Sequence, residues 1–306
     1  MQPRTIEIDS LTKRYGDITA VDDLSFAALP GRVTGFLGPN GAGKSTTLRI
    51  LVGLVAATSG AARINGVNYA AQHRPGTIVG THFEGAFHPG RTAINHLRTY
   101  APLVGVDDAR CHEALASVGL TDAARRRVGG FSLGMRQRLG LATALLGNPS
   151  VLVLDESANG LDPAGIKWLR SFLRSFADAG GTVLLSSHLL SEVQQSVDDV
   201  VVIANGALRH QSSLDGLRAL AAPGVVIKSP RAEALVDFAR SRFPRAATLQ
   251  RDGQARILGV SAAEVGAAAF ADGLEIHGLE ETGESLEDVF LRLTEAPVDT
   301  TTEVAE

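Results

Sequence analysis

Residues 38–45 read Gly38-Pro39-Asn40-Gly41-Ala42-Gly43-Lys44-Ser45. This G-x-x-x-x-G-K-S spacing works only with a strand before it and a helix after it. The glycines let the backbone curl, so that successive N–H groups point inward at the phosphate oxygens of a nucleoside triphosphate. Lys44 is expected to reach the β- and γ-phosphates, and the Ser45 hydroxyl to ligate Mg²⁺. The flanks agree. Arg32-Val33-Thr34-Gly35-Phe36-Leu37 reads as a strand. Thr46-Thr47-Leu48-Arg49-Ile50-Leu51 opens a helix whose N-terminus faces the phosphates. Only four of the 29 Lys and Arg residues are lysines, so a chance match is rare.

The rest of the chain is read around that loop. Thr5-Ile6-Glu7-Ile8 and Asp23-Leu24-Ser25-Phe26-Ala27 are strand-like, with turns at Tyr15-Gly16-Asp17 and Leu29-Pro30-Gly31. Ala61-Ala62-Arg63-Ile64 and Thr77-Ile78-Val79-Gly80 are further strand candidates. Between residues 92 and 128 the apolar period becomes helical, through Ile94, Leu97, Leu103, Ala114, Leu115 and Val118. Val151-Leu152-Val153-Leu154, Thr182-Val183-Leu184-Leu185-Ser186 and Val200-Val201-Val202-Ile203-Ala204 are continuous apolar runs. Such runs fit parallel strands buried on both faces. Strands and helices alternate to about residue 210, an α/β pattern.

The pattern changes near Ala221-Ala222-Pro223-Gly224. Strand-like residues 225–228 lead to a helix over 232–243, then a hairpin turning at Asp252-Gly253. A helix over 262–270, strand-like 274–277 and a helix over 285–294 complete the order βαββαβα, that of a small ferredoxin-like α+β domain. The expected domains are residues 1–220 and 221–306, the latter ending in a polar tail.

Composition narrows the classes. No apolar run reaches the roughly 18 residues that a bilayer span needs. The opening Met1-Gln2-Pro3-Arg4-Thr5 predicts no secretory signal. One cysteine, Cys111, excludes an internal disulfide and suits a reducing compartment. A net charge of −4 with 5% aromatics speaks against a nucleic-acid surface. The eight histidines form no zinc-ligand array.

A phosphate loop alone leaves kinases, GTPases, motor proteins and transport ATPases open. Asp155-Glu156, closing an apolar strand, narrows the choice. Asp155 is placed to hold Mg²⁺ through its water shell, and Glu156 to orient and deprotonate an attacking water.

Just upstream, Phe131-Ser132-Leu133-Gly134-Met135-Arg136-Gln137-Arg138 resembles the LSGGQ signature of ATP-binding cassette (ABC) proteins. The resemblance implies an anion site from the Ser132 hydroxyl, the Gly134 N–H and the following helix, facing the γ-phosphate held by a second copy. It makes Tyr15 the aromatic that stacks on adenine. It makes Gly160-Leu161-Asp162-Pro163 the loop crossing the dimer interface, and His188 the residue that contacts the γ-phosphate. His88-Pro89-Gly90-Arg91-Thr92, Ala158-Asn159-Gly160 and Ser285-Leu286-Glu287-Asp288-Val289-Phe290-Leu291 are similar to the drug-exporting, daunorubicin-resistance branch of bacterial ABC-2 systems.

The fold class implied is α/β. A phosphate-loop NTPase sheet would carry an antiparallel β subdomain and a helical signature subdomain, beside the α+β C-terminal domain. The implied protein is an ATPase subunit that uses ATP and Mg²⁺. It would pair with a second copy, dock peripherally on the cytoplasmic face of the membrane, and drive a permease made as a separate chain. The alternative is a soluble ABC ATPase of translation or DNA repair, but this chain has one cassette and none of the insertions of those proteins. Four positions depart from the family pattern. Leu133 and Met135 replace a glycine and the glutamine of the signature, and Ser157 replaces the proline after the glutamate. The glutamine that the family places near Mg²⁺ is expected at Glu84, a carboxylate able to serve the metal.

Overall fold

The computed structural model describes residues 2–83, 87–244, 247–249 and 253–295. Glu84 lies outside them. The chain divides into two compact units, one running to Leu214 and counting residues 293–295, the other Asp215–Arg292.

In the first unit, β1 (Ile6–Tyr15) and β2 (Ile18–Ala28) form an antiparallel hairpin. β3 (Val33–Leu37) is buried along its whole length and leads through the phosphate loop into α1 (Lys44–Leu51). β4 (Ser59–Ile64) joins β1 to give a three-stranded sheet, β2-β1-β4. β5 (Val79–His82) follows. It starts two residues later than the sequence implies, because Pro75–Thr77 closes a 3₁₀ turn in which the Thr77 hydroxyl donates to the Arg74 carbonyl.

Three helices come next: α2 (Ala93–Val104), α3 (Asp108–Ser117) and α4 (Leu133–Ala144). Each begins at a polar cap, Thr92, Asp107 or Ser132, whose side chain accepts a first-turn N–H. β6 (Val151–Asp155), α5 (Pro163–Asp178), β7 (Thr182–Ser187), the short α6 (Leu190–Val193), β8 (Asp199–Ala204) and β9 (Ala207–Ser213) complete the unit.

The main sheet has the order β5-β6-β7-β3-β8-β9. All its neighbours are parallel except β9, which is an antiparallel edge. Parallel strands put their C-terminal ends on one rim, where open α/β sheets bind ligands. Leu37, His82, Asp155 and Ser187 end their strands there. The apolar core joins the small sheet to the main one. Phe26 and Phe36 meet with ring centroids 5.0 Å apart, and Leu11, Leu24, Leu48 and Ile64 are fully buried around them. Each such side chain contributes about 1.5–3 kcal/mol through burial.

The second unit opens with α7 (Leu214–Ala219) and β10 (Gly224–Lys228). α8 (Ala232–Arg242), β11 (Ala247–Leu249), β12 (Gln254–Leu258), α9 (Ala262–Ala271), β13 (Gly278–Glu281) and α10 (Leu286–Glu295) follow. The four strands pair antiparallel in the order β11-β12-β10-β13, the ferredoxin-like arrangement. Val225, Ile227, Ala255 and Ile257 alternate toward Leu235, Phe238 and Val265 of the two helices. The last strand differs from expectation. Leu274 and Ile276 pack on this core as an irregular lead-in, and the strand is the polar Gly-Leu-Glu-Glu stretch after them. An edge strand needs one apolar residue on its inner face, here Leu279, and tolerates carboxylates elsewhere.

Candidate functional site

A pocket on the rim of the main sheet is lined by Asn40–Thr46 of the phosphate loop, Asp155, Glu156 and His188. Ala20, Leu133, Gln137 and Asn159 complete the lining. α1 starts at Gly43, whose φ of 102° belongs to the left-handed region. Only glycine fits there: an added Cβ would lie 2.4 Å from the Ala20 carbonyl oxygen. Gly43 also offers no capping side chain, so the first-turn N–H groups of Lys44, Ser45 and Thr46 have no intrahelical acceptor. They are donors turned toward the pocket, at the positive end of the helix.

Lys44 is 6% exposed. Its Nζ donates to the carbonyls of Gly38 at 2.7 Å and Pro39 at 3.2 Å, which leaves the remaining N–H for the pocket. There it lies 3.4 Å from Glu156 Oε1. The other carboxylate oxygen of Glu156 accepts from His188 Nδ1 at 2.9 Å. Glu156 sits at φ 51°, a left-handed conformation that costs a non-glycine residue about 1–2 kcal/mol. That turn swings its side chain off the end of β6 and into the pocket.

Ser186 was not singled out from sequence, and it organises the acidic pair. It lies opposite Asp155 in the parallel register of β6 and β7. Its hydroxyl donates to Asp155 Oδ1 at 2.6 Å and accepts the Glu156 N–H at 3.0 Å. The available signal was its place in Ser186-Ser187-His188, polar residues closing an apolar strand two positions before a candidate histidine. Ser186→Ala is expected to lower stability by about 1–3 kcal/mol, because a half-buried N–H and a buried carboxylate lose their partner. It should also raise the Mg²⁺ concentration needed for turnover. An unchanged melting temperature and Mg²⁺ dependence would contradict that role.

The remaining sequence-picked residues stand elsewhere. Ser132, Gly134 and Asp162 line a neighbouring recess with Gly160, Leu161 and Arg126, and only Leu133 lines both. Ser132 caps α4 by accepting the Met135 N–H at 3.3 Å, and its own hydroxyl hydrogen stays available to an anion. Asp162 caps α5 by accepting the Gly165 N–H at 2.7 Å. Tyr15 ends β1, 48% exposed, with Lys13 Nζ 4.7 Å from its ring centre. Burial lowers the pKa of His82, at the end of β5, against opposing pulls from its hydrogen bond to Gln137 and then from Asp155.

The oxygen donors of the pocket fit a hard divalent cation. Asp155 Oδ1 accepts from Ser186, and Asp155 and Ser45 both line the pocket. Among the described residues no three His, Cys, Asp or Glu side chains cluster as a metal site. A cation here would draw most of its ligands from phosphate oxygens.

Comparison with known proteins gives one answer. The family described as "ABC transporter" matches residues 21–159. The bacitracin transport ATP-binding protein of Bacillus licheniformis is 42% identical over 220 residues, 70% of this chain and 71% of that one. Its counterpart from Enterococcus faecalis is 34% identical over 94% of this chain and 96% of its own length. Among solved structures, an ATP-binding subunit of an ABC transporter aligns with a TM-score of 0.63 at 29% identity, covering 70% of this chain and 92% of that one.

Proposed function

The chain is an ATPase of the ABC transporter family, and from that premise we propose that it powers export of an antibiotic-like molecule through a separate permease. The observation that carries this reading is the convergence of Asn40–Thr46, Asp155, Glu156 and His188 on one pocket. Relatives named for bacitracin transport support an antibiotic-like substrate. The same relatives favour transport over a role in translation or DNA repair.

In the proposed reaction the loop N–H groups and Lys44 hold the β- and γ-phosphates. Ser45 and Asp155 would hold Mg²⁺, which would supply positive charge against the developing negative charge of the phosphates. Glu156 takes a proton from the attacking water, whose oxygen bonds to the γ-phosphorus as the bond to the bridging oxygen breaks. His188 steadies the Glu156 carboxylate through the Nδ1 bond. Tyr15 stacks on adenine.

Two copies would close head to tail, each offering Ser132, Gly134 and Asp162 to the nucleotide held by the other. The separation of that recess from the phosphate pocket supports the pairing. No helix among the described residues is long and apolar enough to cross a membrane, and in this proposal the passage is supplied by a partner. Phe83, Phe87, Tyr100 and Leu103 line one groove, with Leu103 75% exposed, and support a permease contact there.

Co-expression with a membrane protein of about six apolar spans tests the transport reading. This chain should be retained on membranes only with that partner, and its ATP turnover should respond to the exported compound. Retention and turnover indifferent to every permease offered would contradict it. We further propose that residues 221–306 form an accessory domain that the nucleotide does not touch. A chain ending at Ala221 should bind ATP within about threefold of the full-length affinity, a difference below 1 kcal/mol. A folded truncation without nucleotide binding would oppose that division.

A further inference from the structure

α4 meets the main sheet along one face. Leu133, Gln137, Gly140 and Ala144 recur at helical spacing on a single stripe. The first two line the phosphate pocket. One turn later Gly140 leaves space for the His82 imidazole: a Cβ on Gly140 would lie 2.1 Å from His82 Cε1. His82 ends β5 and is 6% exposed. Its Nε2–H donates to Gln137 Oε1 at 2.5 Å. One largely buried side-chain bond therefore ties the pocket-facing turn of α4 to the rim end of β5. On another side of α4, the Arg138 guanidinium lies 4.5 Å from the ring centre of Trp168 on α5.

We propose that His82 is a positioning residue for ATP turnover: acting through Gln137, it sets where α4 places Leu133 and Gln137 against the Glu156 side of the pocket. It also makes the end of β5 follow α4 when the pocket fills. The proposal rests on the reading of this pocket as the ATPase site. A packing role would need only the bulk of a ring between β5 and α4. A positioning role needs the N–H, because the bond fixes the rotation of the Gln137 side chain at the pocket wall.

Trp168 is the only tryptophan of the chain, so its emission reports α4 against α5 without a label. The experiment compares the full chain with His82→Leu, His82→Gln, Gln137→Leu and the double variant His82→Leu/Gln137→Leu. Each is measured for kcat and KM with MgATP and for the Trp168 response to MgATP. His82→Leu is expected to lower kcat about tenfold, the effect of one hydrogen bond used in the working geometry, with KM within about twofold. Its Trp168 response should shrink. His82→Gln, which offers an amide N–H in place of the imidazole, should recover most of both.

The double variant should be no slower than Gln137→Leu alone, because both changes break the same link. Should His82→Leu fail to fold, His82→Phe, which keeps a ring without an N–H, reads the same coupling alone and combined with Gln137→Leu. Equal losses in His82→Gln and His82→Leu, additive losses in the double variant, or a wild-type Trp168 response in all of them would overturn the proposal. A full chain that does not turn over ATP would overturn the ATPase reading, and the proposal with it. Active wild type with unaffected variants would overturn the proposal alone.

Discussion

Lys44→Ala is expected to weaken MgATP binding at least about 100-fold and to leave no measurable turnover, with the fold intact. The size follows from the one charge-assisted bond that the remaining N–H makes to phosphate, worth about 1.5–3 kcal/mol, and from the ammonium charge lost beside the phosphates in a site with restricted water. The Gly38 and Pro39 carbonyls hold the ammonium at the pocket wall before any phosphate arrives, so the wild-type chain has little left to order on binding. The loop backbone does not depend on Lys44. Its shape comes from the left-handed Gly43 and from bonds such as Ala42 N–H to the Pro39 carbonyl at 3.1 Å. Titration calorimetry with MgATP, phosphate release and a thermal melt check the three parts. Wild-type turnover in Lys44→Ala would remove residues 38–45 from the account.

The main architecture was legible because three signals agree at one place. A phosphate loop demands a strand and a helix, and β3 and α1 supply them. Continuous apolar runs at 151–154, 182–186 and 200–204 mark parallel strands, and β6, β7 and β8 cover them. What periodicity could not give lay at edges. β9 carries the polar sequence Ala-Leu-Arg-His-Gln-Ser-Ser and pairs on one side only, so burial leaves no alternation to read. β13 hides for the same reason, while the apolar Leu274 and Ile276 before it imitate a strand.

The residues that line the pocket were legible one by one, but their connections were not. Lys44, Asp155, Glu156 and His188 announce themselves by motif. Nothing in the linear order says that Ser186 bonds both Asp155 and Glu156, since that follows from the register of β6 against β7. Nor does it say that Gly140 is a slot for His82, 58 positions away, which requires α4 to lie against β5. Leu133 and Met135, departures from the family's signature, keep the helix start intact because the cap is Ser132.

Glu156→Gln carries the second large effect. The amide keeps the size of the side chain and can still bond His188, but it cannot accept a proton from water. Losing a general base of this kind costs about 10²–10⁴ in rate. It also removes a negative charge 3.4 Å from Lys44 Nζ, which frees that ammonium for phosphate. Nucleotide affinity should therefore hold or rise while hydrolysis stops. In the proposed head-to-tail pair, ATP that is bound but not hydrolysed holds the two copies together, so the variant with MgATP should show the mass of two copies by light scattering.

The most direct measurement is single-turnover phosphate release from MgATP already bound, comparing wild type with Glu156→Gln at equal occupancy. The expected result is at least about 100-fold slower release in the variant with retained nucleotide, the loss of a proton acceptor and nothing else. Release at the wild-type rate from a fully loaded Glu156→Gln chain would contradict the assignment of Glu156 as the base, and with it the proposed mechanism.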